Sequence, residues 1–214
     1  MDQLIAQNLQ FAYGSQVLLN NVNFTFESGK FFALEGDNGT GKSTFLRILV
    51  GLIEPQQGSV MFNNQDLAKL SVRERSRIMA YMPARRELSG NLDLETAISV
   101  GFPSVTLHDL DAVLQRFELT NKRHRLLLQL SDGEYQRMQL ARVYLQNTPI
   151  VILDEPTAHL DAKWRERFFS EMQSWASAQQ KLVICSSHDL ALNKVYAHER
   201  ISWPLVPHDG IETH

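Results

Sequence analysis

The chain has 214 residues, 43% of them hydrophobic, with 21 Lys and Arg against 24 Asp and Glu for a formal net charge of −3. That length holds one domain, with or without a subdomain, and the hydrophobic share suffices for an ordinary core. The slightly acidic balance lacks the basic field of a protein that coats nucleic acid, so no nucleic-acid partner is expected.

The N-terminal Met-Asp-Gln-Leu-Ile-Ala-Gln lacks the basic start and long apolar stretch of a secretory signal. Leu4–Leu9, Val22–Phe26 and Ser59–Phe62 read as short strands of partial alternation, with Tyr13-Gly14-Ser15 and Ser28-Gly29-Lys30 as turns. Phe31–Glu35 is a further strand, and Ser43–Val50 a helix that stops near Gly51. Another strand is expected over Ile78–Met82. From about Asp93 to Gln146 the pattern turns helical. Asp93–Val100 opens on an Asp cap, Leu107–Phe117 carries apolar residues at helical spacing, and Tyr135–Leu145 does the same. Ile150–Leu153 and Leu182–Ser186 then read as buried strands around a helix at Ala162–Ser177.

Strands alternating with helices predict a parallel sheet covered on both faces, with the helical middle inserted as a subdomain at about 87–146 of a single 1–214 domain. The longest apolar runs are strand-sized, short of the roughly 18–20 residues a membrane span requires. Cys185 is the sole cysteine, which excludes an internal disulfide and fits a reducing cytosol. Contact with a membrane is therefore expected to go through a partner.

Between the strand ending at Glu35 and the helix after it runs Gly36-Asp37-Asn38-Gly39-Thr40-Gly41-Lys42-Ser43-Thr44. It fits G-x-x-x-x-G-K-[ST], in the strand–helix context the motif demands. Glycines let the backbone wrap an anion with its N–H groups turned inward, and the helix N-terminus adds partial positive charge. Lys42 is placed to reach β- and γ-phosphates, and the Ser43 hydroxyl to hold Mg²⁺. A guanine-specific Asn-Lys-x-Asp is missing. Its nearest approach, Asn121-Lys122-Arg123-His124, lacks the Asp, so ATP is favoured over GTP.

Ile150–Leu153 is followed by Asp154 and Glu155, acids at the C-terminal end of a buried strand, where α/β sheets place ligands. Asp154 suits Mg²⁺, and Glu155 suits a general base that polarises the attacking water. His188, just past the strand ending at Ser186, stands near the same sheet edge. Its position alone does not separate a γ-phosphate contact from an ordinary surface histidine.

Leu130-Ser131-Asp132-Gly133-Glu134 resembles the signature of ABC-type ATPases, usually Leu-Ser-Gly-Gly-Gln, and the order of motifs agrees across nearly the whole chain. The resemblance implies an α/β P-loop fold of ABC ATPase type: a mixed sheet, an N-terminal antiparallel β-subdomain and an inserted helical subdomain. It implies that Tyr13 stacks on adenine and that Ser131 and Gly133 contact a γ-phosphate held by a second copy or a homologous subunit. Asp161 matches the acid of the loop crossing between subunits, and His188 the residue that orients γ-phosphate and water.

The implied activity is ATP hydrolysis by a head-to-tail dimer. It would drive transport through separate integral membrane permease subunits, at the cytoplasmic face of the inner (plasma) membrane. The inserted helices and the Ala84–Ser89 loop would be the docking face.

Two departures stand out. Ala84 follows Tyr81-Met82-Pro83 where the family usually has Gln, leaving Glu87 as the nearest oxygen donor. Asp132 and Glu134 add negative charge to the signature, which should weaken γ-phosphate binding unless the side chains point away. With the Gly90-Asn91-Leu92…Glu95…Gly101 segment, these features look like the importer branch for iron–siderophore, haem and cobalamin compounds. A short export ATPase and a soluble ABC ATPase outside transport are the alternatives.

Overall fold

The structure is a computed structural model and describes residues 2–85, 91–102 and 104–204. β1 (Gln3–Tyr13) and β2 (Gln16–Glu27) form an antiparallel hairpin about Gly14-Ser15. β4 (Gln57–Phe62) and β5 (Gln65–Asp66) complete a four-stranded sheet of order β2-β1-β4-β5. The partial alternation of β1 has a physical cause. Leu4 and Ala6 are buried, then Leu9 and Phe11, and the register slips between Ala6 and Leu9. Asn8 sits there at φ 51°, a left-handed conformation asparagine tolerates, so one bulge moves the apolar face from even to odd positions.

The second sheet is parallel throughout. It contains β3 (Phe31–Glu35), β6 (Met79–Met82), β7 (Ile150–Asp154), β8 (Leu182–Ser186) and β9 (Glu199–Ser202), in the order β6-β7-β8-β3-β9. The antiparallel and parallel pairings thus lie in two separate sheets. Ile150 and Ile152 face a core shared with β1, β2, β4 and α1 (Lys42–Leu49). Val151 and Leu153 face a second core. That second core is built with α3 (Leu94–Ser99), α4 (Leu107–Arg116), α5 (Asp132–Gln146) and α6 (Ala162–Gln179). Both faces of β7 and β8 are fully buried. At roughly 1.5–3 kcal/mol per large apolar side chain, burial outweighs the ~1–2 kcal/mol of backbone entropy lost at each residue.

The expected strands and helices are present, with shifted ends. Among the described residues, two strands and two α-helices were not anticipated, β5, β9, α2 (Val72–Ile78) and α7 (Leu190–Tyr196), nor were the single 3-10 turns at Leu67–Lys69, Thr120–Lys122 and Leu127–Gln129. α2 buries none of its residues and is held at its start by a Ser71–Glu74 capping box, so it shows no apolar stripe. Ile78, expected in a strand, is its last residue. β9 is an edge strand in which Ile201 alone is buried.

Parallel pairing fixes where the motifs meet. Leu34 of β3 and Asp154 of β7 both register with Ser186 of β8. The C-terminal ends of these three strands therefore share one edge, with the phosphate loop emerging from the first, Asp154-Glu155 from the second and His188 from the third. Among the described residues, no helix is long and apolar enough to cross a membrane.

Candidate active site

The phosphate loop lies between β3 and α1, as its motif demands. In this structure Lys42 turns back into the loop and its Nζ donates to Gly36 O at 2.6 Å and Asp37 O at 2.9 Å. Thr40 Oγ1 donates to Asp37 O at 2.7 Å. Lys42 is buried, so its ammonium is held where a polyphosphate can exchange for the carbonyls.

Behind the loop stands Trp203, just after β9. Its indole N–H donates to Thr40 O at 2.8 Å, its backbone N–H to Glu35 O at 2.6 Å, and its ring stacks on Phe45 at 4.7 Å. A Cβ on residue 36 would collide with the Trp203 carbonyl oxygen. The first motif glycine is thus needed for a close approach on the core side of the loop as well as for its curvature.

At the neighbouring strand end, Asp154 is fully buried. Ser186 Oγ donates to Asp154 Oδ1 at 2.8 Å, while Asp154 Oδ2 is buried with no hydrogen-bond partner. An uncommitted carboxylate oxygen beside a phosphate loop has the donor chemistry a divalent cation requires.

Glu155 follows at φ 48°. Its Oε1 lies 3.1 Å from His188 Nε2 and 3.9 Å from Lys42 Nζ. The His188 nitrogen makes its aligned contact instead with Asn38 Oδ1, at 2.8 Å. Burial pushes the Glu155 carboxyl above its ordinary value, opposed by the positive fields of His188 and Lys42. A carboxylate raised in this way is tuned towards accepting a proton. The fold therefore brings together Asn38, Lys42, Asp154, Glu155 and His188, although they are scattered over 150 positions of the sequence.

Residues 19–158 match the family model described as ABC transporter. The chain belongs to the ABC transporter family. A hemin import ATP-binding protein of Thermobifida fusca is 33% identical over 91% of this chain and 71% of its own length. A probable siderophore transport system ATP-binding protein of Bacillus subtilis is 29% identical over 94% of this chain and 77% of its own length. A solved ATP-binding subunit of an ABC transporter superposes with a TM-score of 0.82 at 26% identity, covering 93% of this chain and 85% of that one.

In this ABC ATPase the signature opens α5. Ser131 is the N-cap, and its hydroxyl oxygen accepts from Glu134 N–H at 3.2 Å while Glu134 Oε2 accepts from Ser131 N–H at 2.9 Å. This capping box gives the Glu departure a local purpose. Glu134 also pairs with Lys122 at 3.0 Å, and the Ser131 N–H holds its carboxyl below the ordinary glutamate value. Its charge is thus balanced within the subunit. The Ser131 hydroxyl accepts from the Glu134 N–H and stands beside the Glu134 carboxylate, so its role in this structure is within the capping box.

Gly133 has a local role too. A Cβ there would lie 2.9 Å from His159 O, so α5 approaches the loop after Glu155 at a distance that glycine permits. Ala84 and Asp132 line one cavity of about 210 Å³, with Gln136 and His159 also in its wall. Glu87 and Gly90 lie outside the described residues. Glu95, read as part of the importer-like segment, makes a two-toothed ion pair with Arg123 at 2.6 and 2.9 Å.

Tyr13 ends β1 half exposed, with its ring edge-on to Phe11 at 4.9 Å. Asp161 is the N-cap of α6 and accepts from Trp164 N–H at 2.9 Å. Both stand apart from the Lys42–Glu155–His188 cluster in their contacts.

Sequence reasoning missed Ser186, Gln136 and Trp203. Ser186 carried a usable signal, a hydroxyl closing an otherwise apolar strand. The other two carried none, because their roles depend on which backbone groups the fold sets beside them.

Proposed function

We propose that this chain binds Mg-ATP between Tyr13, stacked on adenine, and Gly36–Thr44 around the phosphates, and hydrolyses it with Glu155 as general base. The observation that carries the reading is the convergence of Lys42, His188 and the Glu155 carboxylate within 3.9 Å at one sheet edge. Lys42 would move from the Gly36 and Asp37 carbonyls to β- and γ-phosphate oxygens. Glu155 would accept the proton of the attacking water, its basicity raised by burial. His188 would orient that water and the γ-phosphate.

Ser43 and the free oxygen of Asp154 would hold Mg²⁺, which neutralises developing phosphate charge when bound. The buried, unpartnered Asp154 Oδ2 supports that fit.

The N-terminus of α5 would complete the site in trans. The Ser131 side chain, turned from the Glu134 carboxylate, and the Gly133 backbone would meet the γ-phosphate of a second copy or a homologous subunit, with Asp161 in the loop between subunits. In this reading residues 1–214 form a single domain with a helical subdomain at about 87–146. The names of the similar hemin and siderophore proteins support import of an iron chelate through a separate integral membrane permease. The chain would then sit peripherally on the cytoplasmic face of the inner membrane. A cavity of about 180 Å³ between Tyr81–Pro83 of the sheet edge and Phe102 and Arg142 of the helical layer supports docking there. Of the expected docking loop, Ala84 and Arg85 are described, and 86–89 lie outside the described residues.

The test is ATP turnover of purified protein, wild type beside Glu155→Gln, across a range of protein concentrations. Turnover should rise with concentration in the wild type and fall by a hundredfold or more in the variant, on the order of 3 kcal/mol of barrier. Equal turnover in both would remove Glu155 from its role. A specific activity independent of concentration in verified monomers would remove the trans signature.

A further inference from the structure

Glu155 occupies the left-handed region at φ 48°, a conformation unfavourable for a residue bearing a Cβ and one that persists where its surroundings enforce it. Beside the turn's own bond from Ala158 N–H to the Glu155 C=O at 3.4 Å, two side-chain hydrogen bonds hold the residue from separate elements. Its N–H donates to Ser186 Oγ at 2.8 Å, and its C=O accepts from Gln136 Nε2 at 3.1 Å. Both side chains are buried, Ser186 completely and Gln136 at 2% exposure. Neither bond faces competition from bulk water. Ser186 does double duty, because the same hydroxyl gives its proton to Asp154 Oδ1 at 2.8 Å. One proton and two lone pairs satisfy both contacts at once.

We propose that Ser186 and Gln136 are positioning residues for ATP hydrolysis: together they hold Glu155 in the strained turn that directs its carboxylate to Lys42 and His188. Ser186 at the same time commits one Asp154 oxygen to the protein and leaves the other for the cation. The inference rests on the reading of Glu155 as general base.

It also links the two halves of the composite site. Gln136 lies on α5, the helix whose N-terminus carries Ser131 and Gly133. A nucleotide on the second subunit that draws on the α5 N-terminus would pull, through Gln136, on the carbonyl of the base in this subunit's own site. Gln136 is therefore a direct mechanical tie between trans contact and cis chemistry.

The experiment compares Ser186→Ala, Gln136→Met and Ser186→Thr with wild type in the full chain. It measures kcat with Mg-ATP, ATP affinity by calorimetry without magnesium, and thermal melting. Losing one buried hydrogen bond to the base should lower kcat about tenfold in each of the first two variants, with ATP affinity within about twofold of wild type. Ser186→Thr keeps the hydroxyl on a strand-favouring side chain and should recover most of the rate. A kcat unchanged in both Ser186→Ala and Gln136→Met would overturn the proposal, as would a fall in affinity that matches the fall in kcat. A Thr variant as slow as Ala would also count against the hydroxyl.

Should Ser186→Ala fail to fold, Gln136→Met carries the same expectation from the other side of the residue. Glu155→Gln run alongside separates the two readings. If it keeps full turnover, the base assignment fails. If it is inactive while Ser186→Ala and Gln136→Met run at wild-type rate, the positioning inference alone fails.

Discussion

Replacing Trp203 by Phe should weaken ATP binding although residue 203 lies outside the phosphate-loop motif and supports it from behind. The indole N–H holds the Thr40 carbonyl at 2.8 Å on the core side of the loop. In a planar trans peptide, C=O and the following N–H point in opposite directions. Drawing Thr40 O towards Trp203 therefore turns the Gly41 N–H away from the core, towards the side on which an anion is wrapped.

Phenylalanine keeps an aromatic ring for the 4.7 Å stack on Phe45 and removes this one donor. A buried neutral hydrogen bond contributes about 0.5–1.5 kcal/mol net, and more if its acceptor is left unsatisfied. If ATP binding has to restore that order, affinity falls about two- to twelvefold, at 1.4 kcal/mol per factor of ten. Calorimetric titration with ATP, paired with a melting curve, separates loop order from general stability. An affinity within twofold of wild type alongside a lowered melting temperature would refute the reasoning, because Trp203 would then be packing alone.

Two further outcomes follow from the signature. Gly133→Ala should destabilise the isolated chain by about 1–3 kcal/mol in denaturant titrations without nucleotide, since its Cβ would press on the His159 backbone oxygen. Wild-type stability in that variant would remove the local role for this glycine. Glu134→Gln should be less stable than wild type at neutral pH, with the difference closing in acid. The folded carboxyl titrates below its ordinary value of 4.5, so its contribution is present above that value and is lost as pH falls through the lower folded one. Denaturation midpoints measured at neutral and acid pH would show the closing gap, and a constant gap would contradict it.

The sheet strands and the long helices were legible because their apolar patterns are strong: β7 and β8 are uninterrupted, and α4 repeats at helical spacing. α2 was hidden by the absence of a buried face, although Ser71 and Glu74 wrote its cap openly. α7 was hidden by shortness, and β9 by shortness and polarity. β9 exists as a strand because β3 offers it an edge, a fact no window of its own residues contains.

The sequence alone determined the chemical inventory: a phosphate loop, an acidic pair at a strand end, a histidine past another strand, and a signature. Each is encoded in residues adjacent along the chain, where local geometry suffices to read it. Tertiary structure alone decided how that inventory is aimed. Strand register sets Ser186 beside both Asp154 and the Glu155 N–H. Helix packing brings Gln136 to the Glu155 carbonyl and Gly133 against His159. An edge strand delivers Trp203 to the back of the phosphate loop. These are contacts between side chains and distant backbone groups, and backbone groups are alike in every residue. Nothing in the sequence marks which of them a Ser, Gln or Trp will meet.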